Sequence, residues 1–149
     1  RLCRDWSSDV CSSDLEKELI LKYLNKDNFV ENISNLHVNS DEKDFIKKII
    51  ELVRANIENE NLQSSFLEQE LGISSTQLYR KSKQIFGFTP NDLIRTVRLK
   101  YAAELLQSNK LTVSEVCYQS GFNNRSYFYR EFNKMYNITP KNYQLKYKQ

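Results

Sequence analysis

"LYRKSKQIFGFTPNDL", residues 78–93, lies over "FYREFNKMYNITPKNY", residues 128–143, at a constant offset of fifty. Tyr79, Arg80, Thr89 and Pro90 match Tyr129, Arg130, Thr139 and Pro140. Just upstream, Gly72-Ile73 corresponds to Gly121-Phe122, with one extra residue in the second turn. A repeat of this length is one supersecondary unit used twice. Each copy predicts a short helix, a glycine turn and a longer helix, which is a helix-turn-helix.

Helical spacing extends outward from the repeat on both sides. Phe45, Ile49, Val53 and Ile57 recur every four residues, with Ile46 and Ile50 alongside, and predict an amphipathic helix over residues 42–58. Ser40 is its expected N-cap, with Lys43 instead of Glu at the capping-box position. A short helix is expected over 64–71, released at Gly72, and another from Ser74 or Ser75 to Phe86, stopped by Gly87. Thr89 then caps a helix with Pro90 in its first turn, running to Gln107. Its Leu93, Ile94, Val97, Leu99, Tyr101, Ala102, Leu105 and Leu106 form an apolar surface too broad for one neighbour, so it reads as a central strut packed on both sides. Helices over 112–120, 125–136 and 140–147 complete an all-α chain. No strand-like alternation persists anywhere, and the chain has only three glycines and two prolines.

The amino-terminal stretch breaks this pattern. "DWSSDVCSSDL", residues 5–15, has no helical or strand period, and one reading frame of a short-read sequencing adapter translates to the same string. Residues 1–15 are therefore expected to be adapter translation joined to a gene near Glu16, and are set aside. Residues 16–40 read as a linker or the tail of an upstream domain, with a helix over Lys17 to Leu24. Cys117 is then the one native cysteine, on the buried side of its helix with Val113 and Val116. With one cysteine and one histidine, His37, no disulfide framework or zinc cluster is available, and no Ser-His-Asp or Cys-His grouping can assemble. No metal, cofactor or catalytic residue is expected. A reduced, cytoplasmic protein without a membrane span follows from the cysteine usage and the absence of a long apolar run.

Net charge is +3, or +4 without Arg1, Arg4, Asp5, Asp9 and Asp14. Its distribution is uneven. Residues 41–74 are acidic on balance, whereas Arg80, Lys81, Lys83, Arg95, Arg98 and Lys100 face only Asp92 over 75–100. After Phe122, Arg125, Arg130, Lys134, Lys141, Lys146 and Lys148 face only Glu131. Two basic stretches predict two places that meet an anion. At about 100° per residue, Phe128, Phe132, Met135 and Tyr136 define a buried stripe in the second copy, leaving Ser126 and Arg130 outward with Tyr127, Asn133 and Lys134 beside them. In the first copy Leu78, Ile85 and Phe86 turn inward, and Thr76 and Arg80 outward, flanked by Gln77, Lys83 and Gln84. Small polar residues followed one turn later by arginine suit a helix whose amino-terminal half enters a major groove. Arginine can pair bidentately with guanine and glutamine with adenine. A solvated helix face would explain one such pattern; its recurrence in both copies favours nucleic acid.

These residues carry a resemblance to the DNA-binding region of AraC/XylS-type transcriptional regulators, over Asp41 to Tyr147. It rests on "ELGISSTQLYRKSKQIFGFTPNDLIRTVRLKYAAELL" and "LTVSEVCYQSGFNNRSYFYREFNKMYNITPKNY". The resemblance implies seven helices forming two helix-turn-helix units, at 62–87 and 112–137, joined by a linker helix at 90–107 within a domain over 41–149. It implies base contacts from Thr76, Gln77, Tyr79, Arg80, Ser126, Tyr127 and Arg130, and phosphate contacts from Asn124, Arg125 and Lys141. Double-stranded DNA is the implied partner, with RNA polymerase and an upstream receiver or sensor domain as further candidates. Three positions depart from the family pattern: Ser82 and Ser64 replace apolar residues, and Glu68 replaces a small one, so the first unit's core is expected to be the weaker. The lead-in "SDEKDFIKKIIELVRANIEN" resembles the output end of hybrid two-component regulators. The reading from another class is a helical protein-interaction module that does not read DNA. An enzyme ranks third, because the repair-methyltransferase chemistry fused to some family members would lie outside this sequence.

Overall fold

A computed structural model describes residues 40–87 and 89–148; the expectations for residues 1–39 lie outside these. The described residues form seven helices and no strand: α1 (Ser40–Ala55), α2 (Ser64–Leu71), α3 (Ser75–Phe86), α4 (Pro90–Ser108), α5 (Val113–Gln119), α6 (Arg125–Tyr136) and α7 (Pro140–Lys146). The all-α, two-unit expectation holds.

Local chemistry sets most boundaries. Ser74 and Gln77 form a reciprocal capping box on α3, and Thr112 and Glu115 do the same on α5. Thr89 and Thr139 each accept from the backbone two residues beyond a helix-starting proline, at Asp92 and Asn142. The repeat thus reproduces the proline-started, threonine-capped helix in both copies. Asn137, fifty residues after Gly87, closes α6 in the same left-handed conformation (φ 59°) that Gly87 adopts after α3 (φ 80°).

The bounds of α1 differ most from the sequence reading, and the ends of α4, α5 and α7 shift by one residue. Ser40 is the first residue of α1, not a cap outside it, and α1 ends at Ala55, before the expected 58. Asparagines end it: the Asn56 side chain donates to the Leu52 carbonyl at 2.9 Å, and the Asn59 side chain accepts from the Asn61 N–H at 2.9 Å. Such side chains offer the backbone partners that compete with helix. The start of α2 was legible by position but not by cause. Gln63 supplies no cap, and the Asn91 side chain of α4 accepts from the Ser64 N–H at 3.1 Å instead.

The chain buries two cores, and α4 divides them. Leu93, Ile94 and Val97 join Ile46, Ile49, Ile50, Val53, Leu67, Leu78 and Phe86 in the first, with half-buried Tyr101 against it. Leu99, Ala102, Ala103 and Leu106 join Val116, Cys117, Phe122, Phe128, Phe132 and Tyr143 in the second. At about 100° per residue, the mean directions of the two α4 sets differ by about 175°. Opposite faces of one helix therefore anchor the two units, as expected for a strut.

The cores are chemically unequal. At repeat-matched positions Phe128, Phe132 and Tyr136 oppose Leu78, Ser82 and Phe86. The second core is a chain of rings, with Phe132 5.7 Å from Phe128, 4.6 Å from Tyr136 and 5.3 Å edge-on to Tyr143. Such contacts contribute beyond the area they bury. In the first, Ser82 is fully buried and its hydroxyl has no hydrogen-bond partner. That orphaned group costs about 1–3 kcal/mol.

Candidate nucleic-acid interface

Because α3 and α6 bury one stripe each, the face opposite that stripe is turned outward. On α3 the buried residues are Leu78, Ser82 and Phe86, while Thr76, Gln77, Tyr79 and Arg80 are exposed, Tyr79 by 51%. On α6 Phe128 and Phe132 are buried, while Arg125, Ser126 and Arg130 are exposed. Asn124, just before α6, and Lys141, in the first turn of α7, are exposed too.

Two of these residues have local duties. Gln77 accepts from the Ser74 N–H through its side-chain oxygen at 3.2 Å, which leaves its amide NH2 as a donor. Asn124 caps α6, accepting from the Tyr127 N–H at 2.8 Å. Tyr127 is placed differently from the others. It is half-buried against the second core, its ring 6.1 Å from Phe122, and its hydroxyl accepts from Arg95 Nη1 at 3.5 Å. The Arg130 guanidinium lies 5.3 Å over the same ring.

The charge distribution is sharper in three dimensions than along the chain. Glu131, the one acid after Phe122, is only 11% exposed and lies 3.8 Å from Arg95 Nε, whereas Arg130 beside it is 70% exposed. The acid faces the strut and the base faces solvent. Conversely, the basic stretch over 75–100 does not form one outward patch. Arg95 is drawn to Asp92 and Glu131, Lys81 lies 5.1 Å over the Phe45 ring, and Arg98 Nη2 donates to the Asn59 carbonyl at 2.8 Å. Burial opposes the Arg95 charge, but the Tyr127 hydroxyl and the two carboxylates over-compensate and hold its pKa above the ordinary value. For Arg98 burial prevails and lowers it. Arg80 and Lys83 are exposed bases of α3 without such a contact, and Lys81, also exposed, leans over the Phe45 ring.

The capping boxes were readable as Ser-x-x-Gln and Thr-x-x-Glu. The link from Arg95 to Tyr127 and Glu131 was not, because it spans 32 residues or more and no motif encodes it. Among the described residues no group of three metal-binding side chains occurs, and no helix is long and apolar enough to cross a membrane. Cys117 is fully buried, and burial pushes its thiol pKa up, as befits a small core residue.

Comparison with known proteins adds independent findings. A family model described as a helix-turn-helix domain matches residues 67–146. The chain is 40% identical over 114 residues to Histidine kinase P4 of Formosa agariphila, covering 76% of this chain and 8% of that protein. It is 36% identical over 73 residues to the Xylose operon regulatory protein of Escherichia coli K12, covering 49% of this chain and 19% of that protein. It thus spans less than a fifth of either curated relative. A Chromobacterium violaceum transcriptional regulator, described as containing an AraC-type DNA-binding domain, superposes with TM-score 0.68 at 27% identity over 74% of this chain and 98% of that one. The C-terminal domain of the two-component response regulator yesN from Fusobacterium nucleatum gives TM-score 0.62 at 30% identity, over 68% and 98%.

Proposed function

The chain belongs to the AraC-type helix-turn-helix family, and from that premise we propose that it is the sequence-specific, double-stranded DNA-binding output domain of a bacterial transcriptional regulator. One observation carries the reading: two repeat-related helices, α3 and α6, each expose polar residues in the first turn and an arginine in the next. Both belong to units anchored on opposite faces of one helix, α4.

In this reading α3 and α6 enter successive major grooves. Arg80 and Arg130 pair with guanine edges, the Gln77 NH2 donates to a base acceptor, and Thr76, Tyr79 and Ser126 supply shorter polar and apolar contacts. Tyr127 meets the edge of the groove while backing Arg130. Arg125, Lys141 and the amide of Asn124 hold phosphates, setting register without reading sequence. The relatives described as a histidine kinase and a response regulator support an upstream sensor or receiver domain that delivers the signal through α1. RNA polymerase is a candidate partner on the faces turned away from DNA. The domain acts in the cytoplasm and does no chemistry of its own.

Duplex binding measured against salt tests this reading. Neutralising several phosphates makes log K fall linearly with log salt, at about 0.9 per phosphate contacted. A steep slope, together with preference for selected over random duplexes, is expected. A salt-insensitive partner on the same face would favour the protein-interaction reading instead.

A further inference from the structure

Arg130 is flanked by two groups that a residue on another helix holds. Glu131 Oε1 lies 4.0 Å from Arg130 Nε, and its Oε2 lies 3.8 Å from Arg95 Nε. The Tyr127 ring under the Arg130 guanidinium accepts through its hydroxyl from Arg95 at 3.5 Å. Arg95 itself is anchored to its own helix by Asp92. Two cations thus share one carboxylate, and their exposures differ: 34% for Arg95 against 70% for Arg130.

A carboxylate that is largely buried requires a counter-charge. With Arg95 in place, α4 supplies it, and Arg130 keeps its charge and reach for solvent. Without Arg95, the other cation paired with Glu131 is Arg130 itself, adjacent on the same helix. Arg130 would then be pulled down onto Glu131, and the Tyr127 ring would lose its brace.

We propose that Arg95 is a positioning residue for sequence specificity: by neutralising Glu131 and bracing Tyr127 from the strut, it leaves Arg130 free to read a base. The proposal rests on the reading of Arg130 as a base contact. It makes the second unit's sequence preference depend on its seating against α4, although Arg95 need not touch DNA.

The test uses the full chain and duplexes that the unaltered protein selects from a random library, with anisotropy measured at fixed salt across all single-base substitutions. Arg130→Ala first identifies the base pair that Arg130 reads. Arg95→Met, close in volume but uncharged, is expected to lower discrimination at that pair by about threefold or more. Affinity for random duplex should change little. The double variant Arg95→Met with Glu131→Gln removes the competing carboxylate and is expected to restore discrimination. In the DNA-free protein, the Arg130 Nε–H resonance should shift in the single variant and return in the double. Should Arg95→Met fail to fold by circular dichroism, Arg95→Gln takes its place with the same expectations. Wild-type discrimination in the folded single variant overturns the proposal, and so does a double variant no better than the single. If Arg130→Ala alters no base preference, the base-reading assignment falls and the proposal with it. If Arg130→Ala alters preference and the Arg95 variant does not, the assignment stands and only the proposal falls.

Discussion

Gly121 lies so close to Arg98 that a Cβ on the glycine would sit 2.6 Å from Arg98 Nε and 2.2 Å from the Ile57 carbonyl oxygen. The turn of the second unit thereby meets both the strut and the loop that follows α1. Arg98 closes the contact by donating to the Asn59 carbonyl.

Gly121→Ala is accordingly expected to destabilise strongly. It combines a left-handed φ of 89° with a clash against backbone that cannot swing away. Gly72, at φ 66°, has nothing within 4 Å of its added Cβ, so Gly72→Ala carries the conformational cost alone. That cost is about 1–2 kcal/mol, and Gly121→Ala should exceed it clearly. Urea denaturation of both variants checks the order; equal losses would mean that the Gly121 contact is not tight.

Ser82→Ala should stabilise the protein. It removes a fully buried hydroxyl that has no partner, at the loss of one small atom. The gain expected is about 1 kcal/mol. A lower melting temperature in the variant would show that the hydroxyl is satisfied in solution.

Arg130→Ala and Arg125→Ala should fail differently. Arg130 loses about 1–3 kcal/mol of preference at one base pair, whereas Arg125 weakens all duplexes alike and lowers the salt slope by about 1. Binding to a single-base-substituted set separates them. Identical profiles would refute the division into base and phosphate contacts.

Glu115 gives α5 an acid-sensitive start. The Thr112 backbone N–H and hydroxyl both donate to its carboxylate, at 2.7 and 2.9 Å, and hold its pKa below the usual glutamate value. A folded pKa below the unfolded one means that the stabilisation is present above the unfolded value and is lost as pH falls through the folded one. The stability difference between the unaltered protein and Glu115→Ala should therefore shrink on acidification below the ordinary glutamate range. A pH-independent difference would assign the effect to helix propensity.

The strut should act as a ruler. Its 19 residues span about 28 Å, and recognition helices beyond its ends can reach groove segments one turn, about 34 Å, apart. An alanine inserted between Arg98 and Leu99 falls between the buried α4 residues that serve the first core and those that serve the second, with half-buried Tyr101 the one first-core residue of α4 beyond it. It would rotate one unit by about 100° while lengthening the helix by only about 1.5 Å. Half of the footprint should vanish while circular dichroism stays helical. An insertion after Gln107, near the helix end, should be tolerated. Two protected grooves at the original spacing in the first variant would show a flexible strut.

The sequence by itself determined the helices, most of their caps and the outward face of each recognition helix. Those features depend on residues within about four positions of one another: Ser74 with Gln77, Thr89 with Asp92, Phe128 with Phe132. It also disclosed the weak point of the first core, because the repeat sets Ser82 against Phe132. The tertiary structure alone decided which of the other arginines turn inward. Arg95 and Arg98 count with Arg80 in any tally of basic residues, yet they turn into the junction because Glu131, Tyr127 and Asn59 meet them there. Those partners lie 32 to 39 residues away in the chain. Their meeting depends on how two packed units are rotated about α4, a quantity that local spacing does not encode.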